Sequence, residues 1–178
     1  MINQLITPAP SFNQPLDLLS ACHRKIRGFT ETLLKLPAHL LQKGTDTEAR
    51  QAATGILKYF DTAGQNHHED EEQNLFPMLQ ETAAQQGNSE ILALLEDLLA
   101  QHSDMNQAWI DLRPYLLALS QGETININQM PAQHFAALYN KHIPLEENFL
   151  LPYAERALNP SQLEVLGRAM ATRRGVAF

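Results

Sequence analysis

Residues His67–Pro77 read HHEDEEQNLFP, and the chain repeats the pattern 75 residues later as HIPLEENFLLP over His142–Pro152. In both segments a histidine is followed by two adjacent glutamates, a leucine and a proline at matching positions. On a helix, residues i and i+4 lie about 40° apart and roughly 6 Å along the axis. Each histidine and the first glutamate after it can therefore point at one place. The two pairs are His67 with Glu71 and His142 with Glu146.

Both pairs fall on stripes of apolar residues at helical spacing. The stripe around the first pair contains Leu57, Phe60 and Leu75, and the stripe around the second contains Leu138, Phe149 and Tyr153. An apolar stripe of this kind is expected to face a protein core. A carboxylate buried there is costly unless a positive charge meets it. We infer that metal ions supply that charge.

Apolar periodicity predicts four long amphipathic helices. The first runs from Pro15 to Pro37, and the second starts after Thr45 or Asp46 and runs towards Ala84. The third is capped by Asn88 or Ser89, and the fourth begins near Pro131. Pro77 is expected to kink or break the second helix. Four such helices joined by short connections predict an all-α, antiparallel up-down-up-down four-helix bundle.

A short fifth helix is predicted at the C-terminal end, over SQLEVLGRAM. Asn159, Pro160 and the box Ser161–Glu164 start it, and it ends before Gly175. Three regions follow. They are an N-terminal arm (1–15), a four-helix bundle (16–157), and a C-terminal helix and tail (158–178). The basic residues of the tail, Arg168, Arg173 and Arg174, are predicted to be a solvated end.

Composition sets the class of protein. The chain has 178 residues, of which 44% are hydrophobic and 19% charged, enough for one core. Without a long apolar run or a signal-peptide pattern, it is expected to be soluble and cytoplasmic. A net charge of −7 argues against a nucleic-acid or anionic-membrane surface. The single cysteine, Cys22, excludes an intrachain disulfide.

Two further histidines interrupt apolar stripes, His23 on the first helix and His102 on the third. With the two repeated pairs they make a set of four imidazoles and two carboxylates. Two metals could take two histidines each and share both carboxylates. Nitrogen and oxygen donors without thiolates favour iron, manganese or zinc. The predicted metal ligands are His23, His67, Glu71, His102, His142 and Glu146.

The doubled motif, with one added histidine on each of the other two helices, resembles the hemerythrin-like family of HHE cation-binding domains. The likeness spans roughly residues 16 to 157, and the closing LGRAMATRRG also looks like the tail of many members. The resemblance implies an antiparallel four-helix bundle around an oxo- or hydroxo-bridged centre of two iron ions. It also implies a small ligand, namely dioxygen, nitric oxide or peroxide, and the six ligands named above.

Two features depart from the oxygen-carrying members of that family. Those proteins have a fifth histidine, with two on the third helix spaced HxxxH, but Leu98 and Asn106 flank His102 at that spacing. Each iron would then keep an open position, which favours reactive chemistry or sensing over oxygen carriage. The second departure is Pro144, which is expected to bend the fourth helix beside Glu146.

Several neighbouring residues have alternative interpretations. His68 could compete with His67, but Ile143 stands at its position in the repeat, so His68 and Glu72 are predicted to form a solvated surface pair. The second glutamates, Glu72 and Glu147, are predicted to be exposed or to lie behind the ligands. The remaining candidates are His134 as a minor fifth ligand, Cys22 as a buried thiol, and Tyr139 as a packing residue.

The leading functional hypothesis is a di-iron module that binds or senses dioxygen or nitric oxide. A second is a di-iron redox enzyme that consumes peroxide, reduces ferric iron or repairs iron centres. A third is a metal store or a structural site, for example for zinc. Whether the protein turns over a substrate and which oligomer it forms stay open, with a dimer among the alternatives.

Overall fold

The computed structural model describes residues 10–178, and most of these residues are helical. Five helical units can be distinguished, and no strand occurs within this range. The first and third are α1 (Pro15–Lys43) and α3 (Ser89–Ser120), and the fifth is α5 (Pro160–Arg173). The second unit, α2, covers residues 47–86, and the fourth, α4, covers residues 132–157. The prediction of an all-α fold with a short C-terminal helix is confirmed.

Each long helix packs against its neighbour in the chain, and α1 also packs against α4. These contacts close an antiparallel four-helix bundle. The fifth helix lies outside it against α1 and α2. Of the predicted N-terminal arm, residues 1–9 lie outside the described part. The rest approaches α5 so closely that a Cβ at Gly167 would lie 2.0 Å from the carbonyl oxygen of Phe12.

The end of α1 and the capping box of α5 differ from the predictions. α1 does not end at Pro37 but continues to Lys43, and Leu36 and Leu40 are buried on either side of that proline. Tertiary packing thus offsets the backbone hydrogen bond that a proline removes. The capping box of α5 is formed by Asn159 and Gln162, not by Ser161 and Glu164.

α2 and α4 contain short π-helical turns, in which the hydrogen bonds reach one residue further along the chain. In α2 these are Tyr59–Ala63 and Glu71–Leu75, and α4 has one at Glu146–Leu150. The helix is not broken at Pro77, which lies in the first turn after the second π-turn. Likewise, α4 continues through Pro144 into the π-turn that begins at Glu146.

The π-turn of α4 explains why Phe149, predicted to face the core, does not do so. Phe149 is 58% exposed, whereas the next residue, Leu150, is completely buried. A π-turn adds a residue to the helical turn, so the face that reaches the core shifts by one position. A strict 3.6-residue period cannot anticipate that shift.

Two apolar clusters fill the bundle at different depths. The aromatic cluster is centred on Phe60, Trp109, Phe135 and Tyr139, and the leucine cluster is centred on Leu19, Leu75, Leu98 and Leu150. Every long helix contributes to both clusters. Along each long helix, the predicted metal ligands lie where residues of one cluster give way to residues of the other. The bundle core therefore has a polar layer between two apolar ones.

Candidate metal centre

The structure brings all six residues of the predicted ligand set into this polar layer. α1 contributes His23, and α3 contributes His102. α2 contributes His67 and Glu71, and α4 contributes His142 and Glu146. None of these side chains is more than 3% exposed to solvent. Six buried polar side chains at one depth of an otherwise apolar core form one connected cluster.

The cluster divides into two overlapping groups of four residues. One group is His23, His67, Glu71 and Glu146, and the other is Glu71, His102, His142 and Glu146. Within each group, the nitrogen and oxygen atoms that could bind a metal lie within 4.8 Å of one another. The histidines are different in the two groups, but both glutamates are shared. This is the arrangement that a pair of cations bridged by two carboxylates requires.

Distances show how the two carboxylates face the histidines. Oε2 of Glu146 lies 3.0 Å from Nε2 of His23 and 3.2 Å from Nε2 of His142, which belong to different groups. Glu71 uses both of its oxygens. Its Oε1 lies 3.5 Å from Nε2 of His67, and its Oε2 lies 3.6 Å from Nε2 of His102. Both glutamates therefore connect the two groups.

The sequence repeat is also a repeat of local structure. In α2 and in α4, a histidine lies in the last turn of a regular helical segment, and a π-turn starts at the first glutamate. The regular segment keeps the i,i+4 spacing that brings each imidazole to its carboxylate. The π-turn that follows restores apolar residues to the core, since Leu75 and Leu150 are completely buried.

Many polar atoms of the cluster lack hydrogen-bond partners among the described residues. They include Nε2 of His23, Nδ1 of His67, Oε2 of Glu71 and both carboxylate oxygens of Glu146. The 3.0 Å approach of His23 to Glu146 does not have hydrogen-bond geometry, so it satisfies neither atom. Leaving such atoms unpaired in a core costs free energy. Cations between the histidines and carboxylates would satisfy them, so the residues fit a metal centre.

Burial and neighbouring charges shift the pKa values of Glu71, Glu146 and His67. Burial and the nearby Glu146 charge raise the pKa of Glu71 well above its usual value. Burial also opposes ionisation of Glu146, but the nearby imidazoles of His142 and His23 lower its pKa well below the usual range. Burial and the nearby His23 hold the pKa of His67 well below its ordinary value. A neutral imidazole is the form that binds a metal.

A second layer of residues contacts the outward nitrogens of three of the histidines. Glu72 lies 2.7 Å from Nδ1 of His102, and Glu147 lies 3.3 Å from Nδ1 of His23. The second glutamates of the repeat thus lie behind the candidate ligands, one of the two roles predicted for them. Arg27 donates hydrogen bonds to both oxygens of Glu147, and this ion pair lowers the pKa of that carboxyl.

Gln101 is a residue of this layer that sequence reasoning missed. Its side-chain oxygen accepts from Nδ1 of His142 at 3.2 Å, and its amide nitrogen donates to Asp97 at 2.8 Å. Gln101 immediately precedes His102 in the chain but supports the histidine on the neighbouring helix. Gln101 has no counterpart in the repeat, so the sequence motif could not identify it. Its position directly before His102 was the only sequence feature that pointed to it.

His68 is not the solvated surface partner of Glu72 that the sequence predicted. Its ring stacks on His102, with 4.0 Å between ring centroids and 13° between planes, and Glu72 bonds to His102 instead. Burial and the nearby His102 hold the pKa of His68 well below its ordinary value. His68 is absent from both four-residue groups, whereas His67 belongs to the first of them. His68 therefore lies next to the cluster, behind His102.

Two predicted roles outside the cluster also need correction or completion. The tail arginines Arg173 and Arg174 are not solvated but bind the fully buried carboxylate of Asp70, with Nη2 of Arg174 2.7 Å from Oδ2. Asp70 precedes Glu71, so this contact fixes α5 to α2 beside the cluster. Cys22, predicted to be a buried thiol, is half-buried, and this partial burial raises the pKa of its thiol.

The remaining candidates lie away from both groups or pack in the core. His134 is exposed and belongs to neither group. Tyr139 is buried in the aromatic cluster, where burial raises its pKa, in keeping with a packing role. Within residues 10–178 no helix has the length and apolar character needed to cross a membrane.

Comparison with known proteins adds two findings. A family model described as the hemerythrin HHE cation binding domain matches residues 14–154, a range that contains all six residues of the cluster. The chain is also 31% identical over 166 residues to an uncharacterised protein of Haemophilus influenzae. That alignment covers 93% of this chain and 93% of the relative.

Proposed function

Because the chain belongs to the hemerythrin HHE cation-binding domain family, we propose that it is a non-haem di-iron protein that binds or senses dioxygen or nitric oxide. The observation that carries this proposal is the pair of four-residue groups that share Glu71 and Glu146. One metal ion would leave two of the histidines without a role. Two ions would give each of the four a partner.

In this proposal, His23 and His67 would hold one iron, and His102 and His142 would hold the other. Glu71 and Glu146, which belong to both groups, would be shared between them. The shared carboxylates neutralise part of the charge of two cations, and the cations offset the cost of burying two glutamates. Imidazole and carboxylate donors without a thiolate suit iron, and an imidazole binds a metal in its neutral form.

When bound, two irons supply open positions for a diatomic ligand and a change of oxidation state at each metal. The chain's own residues prepare that site. Glu72, Glu147 and Gln101 hold three of the imidazoles in orientation through their outward nitrogens. The two apolar clusters close this layer above and below along the bundle.

A small cavity next to His68 has room for a diatomic ligand. It has a volume of about 40 Å³ and lies among Phe60, Gly64, Trp109 and Tyr139, with His68 on the side of the cluster. That is room for a molecule little larger than water. A bulky organic substrate would not fit there.

A second candidate function is a di-iron redox enzyme acting on peroxide, ferric iron or damaged iron centres. It is supported by the number of histidines in the two groups, two for each metal, which leaves room at both ions for a reacting molecule. The two candidates share the same centre and differ in whether the bound molecule is released unchanged.

Metal analysis of freshly purified protein tests the shared part of both candidates. We expect about two irons per chain, and an oxidised form that absorbs in the near-ultraviolet and loses this absorption on reduction. Adding nitric oxide to the reduced form should change its visible spectrum. One iron or none after anaerobic reconstitution would contradict the di-iron centre. Stoichiometric zinc from iron-replete cells would favour a structural or storage site.

A further inference from the structure

A cleft between α2 and α3 connects the surface with the candidate metal centre. Its volume is about 410 Å³. Its wall includes the carboxylates of Glu69 and Glu72 and the imidazoles of His68 and His102. His102 is one of the six residues of the cluster and is only 3% exposed. The cleft therefore reaches from solvent to a candidate ligand.

Groups that bind cations occur along the whole depth of this cleft. The side chain of Glu69 is 47% exposed and that of Glu72 is 42% exposed, so both carboxylates reach solvent, and Glu69 also accepts a hydrogen bond from Nε of Arg173 through Oε2, 3.1 Å away. Glu72 also contacts Nδ1 of His102 through Oε1, 2.7 Å away. From the mouth inwards, a cation would meet two carboxylates and then the imidazoles of His68 and His102.

His68 is the residue of the cleft that neither packing nor the centre explains. Its Nε2 is buried and has no hydrogen-bond partner among the described residues. Its ring stacks on His102 at a centroid distance of 4.0 Å, so its nitrogens lie close to a candidate ligand. An unpaired buried nitrogen costs free energy that a purely structural aromatic ring would avoid.

We propose that the α2–α3 cleft is the port through which metal cations enter and leave the centre, with His68 as the transfer residue between its mouth and His102. A divalent cation gives up water only where other donors replace it, so its route needs carboxylate and imidazole groups at successive depths. A diatomic gas needs no such groups. The inference rests on the proposed metal centre but not on the identity of the metal.

Kinetics separate a port from a ligand. A residue that only assists passage changes the rates of entry and exit by the same factor and leaves the affinity unchanged, whereas a ligand changes the affinity. The probe is Co²⁺, whose visible absorption reports binding to metal-free protein, and excess EDTA captures the ions that leave. His68→Phe preserves an aromatic ring against His102 but removes both nitrogens. Glu69→Gln removes one charge at the mouth, together with the ion pair that this carboxylate forms with Arg173.

We expect His68→Phe to slow Co²⁺ uptake and release alike, by about tenfold, with the final stoichiometry of the wild type. Glu69→Gln should slow both less. His134→Phe and Glu155→Gln, at exposed positions elsewhere, should match the wild type. Circular dichroism and equilibrium unfolding of each metal-free variant identify any that fails to fold. Should His68→Phe not fold, His68→Gln, which keeps a polar side chain, takes its place in the same assay.

Three results would overturn the proposal. Unchanged Co²⁺ rates in His68→Phe and Glu69→Gln would exclude this cleft as the route. A loss of affinity in His68→Phe would make His68 a ligand. Slower binding of nitric oxide to the reduced iron protein, with normal Co²⁺ uptake, would make the cleft a route for diatomic ligands. Failure of the di-iron proposal would look different, because Co²⁺ could still enter a protein that holds no iron in the cell.

Discussion

Glu72 accepts a hydrogen bond from His102, with 2.7 Å between its Oε1 and Nδ1 of the imidazole. Glu147 lies in the same relation to His23 at 3.3 Å. When Nδ1 carries the proton, Nε2 is unprotonated, and its lone pair points into the cluster. The two carboxylates thus select the tautomer that can bind a metal and increase the basicity of the ring.

This contact predicts the effect of removing either charge. Glu72→Gln and Glu147→Gln should each weaken metal affinity by about tenfold, because a neutral amide polarises the imidazole less than a carboxylate does. Affinity is measured by competition with a chelator of known strength. Glu155→Gln, at an exposed site of α4, is the matched control. If both variants bound metal as tightly as the wild type, the outer carboxylates would have no part in the site.

A second prediction separates the two adjacent histidines of the repeat. His67→Ala should lose at least one iron and lower the melting temperature of the iron-loaded protein, because Glu71 and its partners are then buried without full compensation. His68→Ala should keep both irons and lose about 1 kcal/mol of stability through its ring contact with His102. Iron analysis and thermal unfolding of both variants check this. Loss of iron from His68→Ala alone would show that the repeat had been aligned wrongly.

The sequence alone predicted the bundle and the set of residues that meet in its core. This was possible because a histidine and a glutamate at i,i+4 on an apolar stripe point to the same place in the core, and the pattern occurs twice. It failed where tertiary contacts decide. Pro37 lies within α1 because Leu36 and Leu40 pack on both sides of it.

The residues around the cluster were harder to predict, for a physical reason. Gln101 supports His142 from another helix, and Arg174 reaches Asp70 across about a hundred residues of sequence. No local spacing encodes contacts of this kind. The prediction that His68 forms a solvated surface pair was wrong, and it rested on the matching position of Ile143 in the repeat. That comparison excluded it as a metal ligand but could not show that it lies against His102.

A third prediction concerns the attachment of α5 to α2. Asp70→Ala should lower the free energy of unfolding by about 3 kcal/mol, because it leaves the largely buried Arg174 without an anion and Arg173 with only the partly exposed Glu69. Denaturant unfolding of the metal-free protein measures this. Glu164→Gln breaks an exposed ion pair of α5 with Arg168 and should change stability by less than about 0.5 kcal/mol. Equal effects of the two substitutions would exclude a special role for Asp70.

A fourth prediction follows from the low pKa of His68. In the metal-free folded protein, burial keeps this imidazole neutral, whereas the unfolded chain protonates it below about pH 6.5. The unfolded state then binds more protons, so the stability contributed here is present above that pH and is lost as pH falls. The slope is roughly 1.4 kcal/mol per pH unit for one proton.

His68→Phe should remove that slope. Between pH 8 and pH 7 its difference in stability from the wild type should be constant, and below about pH 6.5 it should shift steadily in favour of the variant. Urea unfolding at a series of pH values gives the comparison. His134→Phe, at an exposed site, should run parallel to the wild type. If the pH dependence of unfolding free energy for His68→Phe also ran parallel to that of the wild type, His68 would have the same pKa in the folded and unfolded states.

The last prediction concerns reactivity and depends on the histidine that is missing from α3. Leu98 and Asn106 stand one turn either side of His102, the first completely buried and the second exposed, so two histidines remain for each metal. With an open position at both irons, the reduced protein should be oxidised by air within minutes and should not release dioxygen unchanged. Leu98→His adds an imidazole one turn from His102 and should slow that oxidation if it fills one of these positions. Leu95→His buries the same group two turns away, out of reach of either metal, and controls for the loss of packing in the leucine cluster. Stopped-flow spectra decide the matter, since reversible oxygen binding by the unmodified protein would make oxygen carriage the better interpretation of this centre.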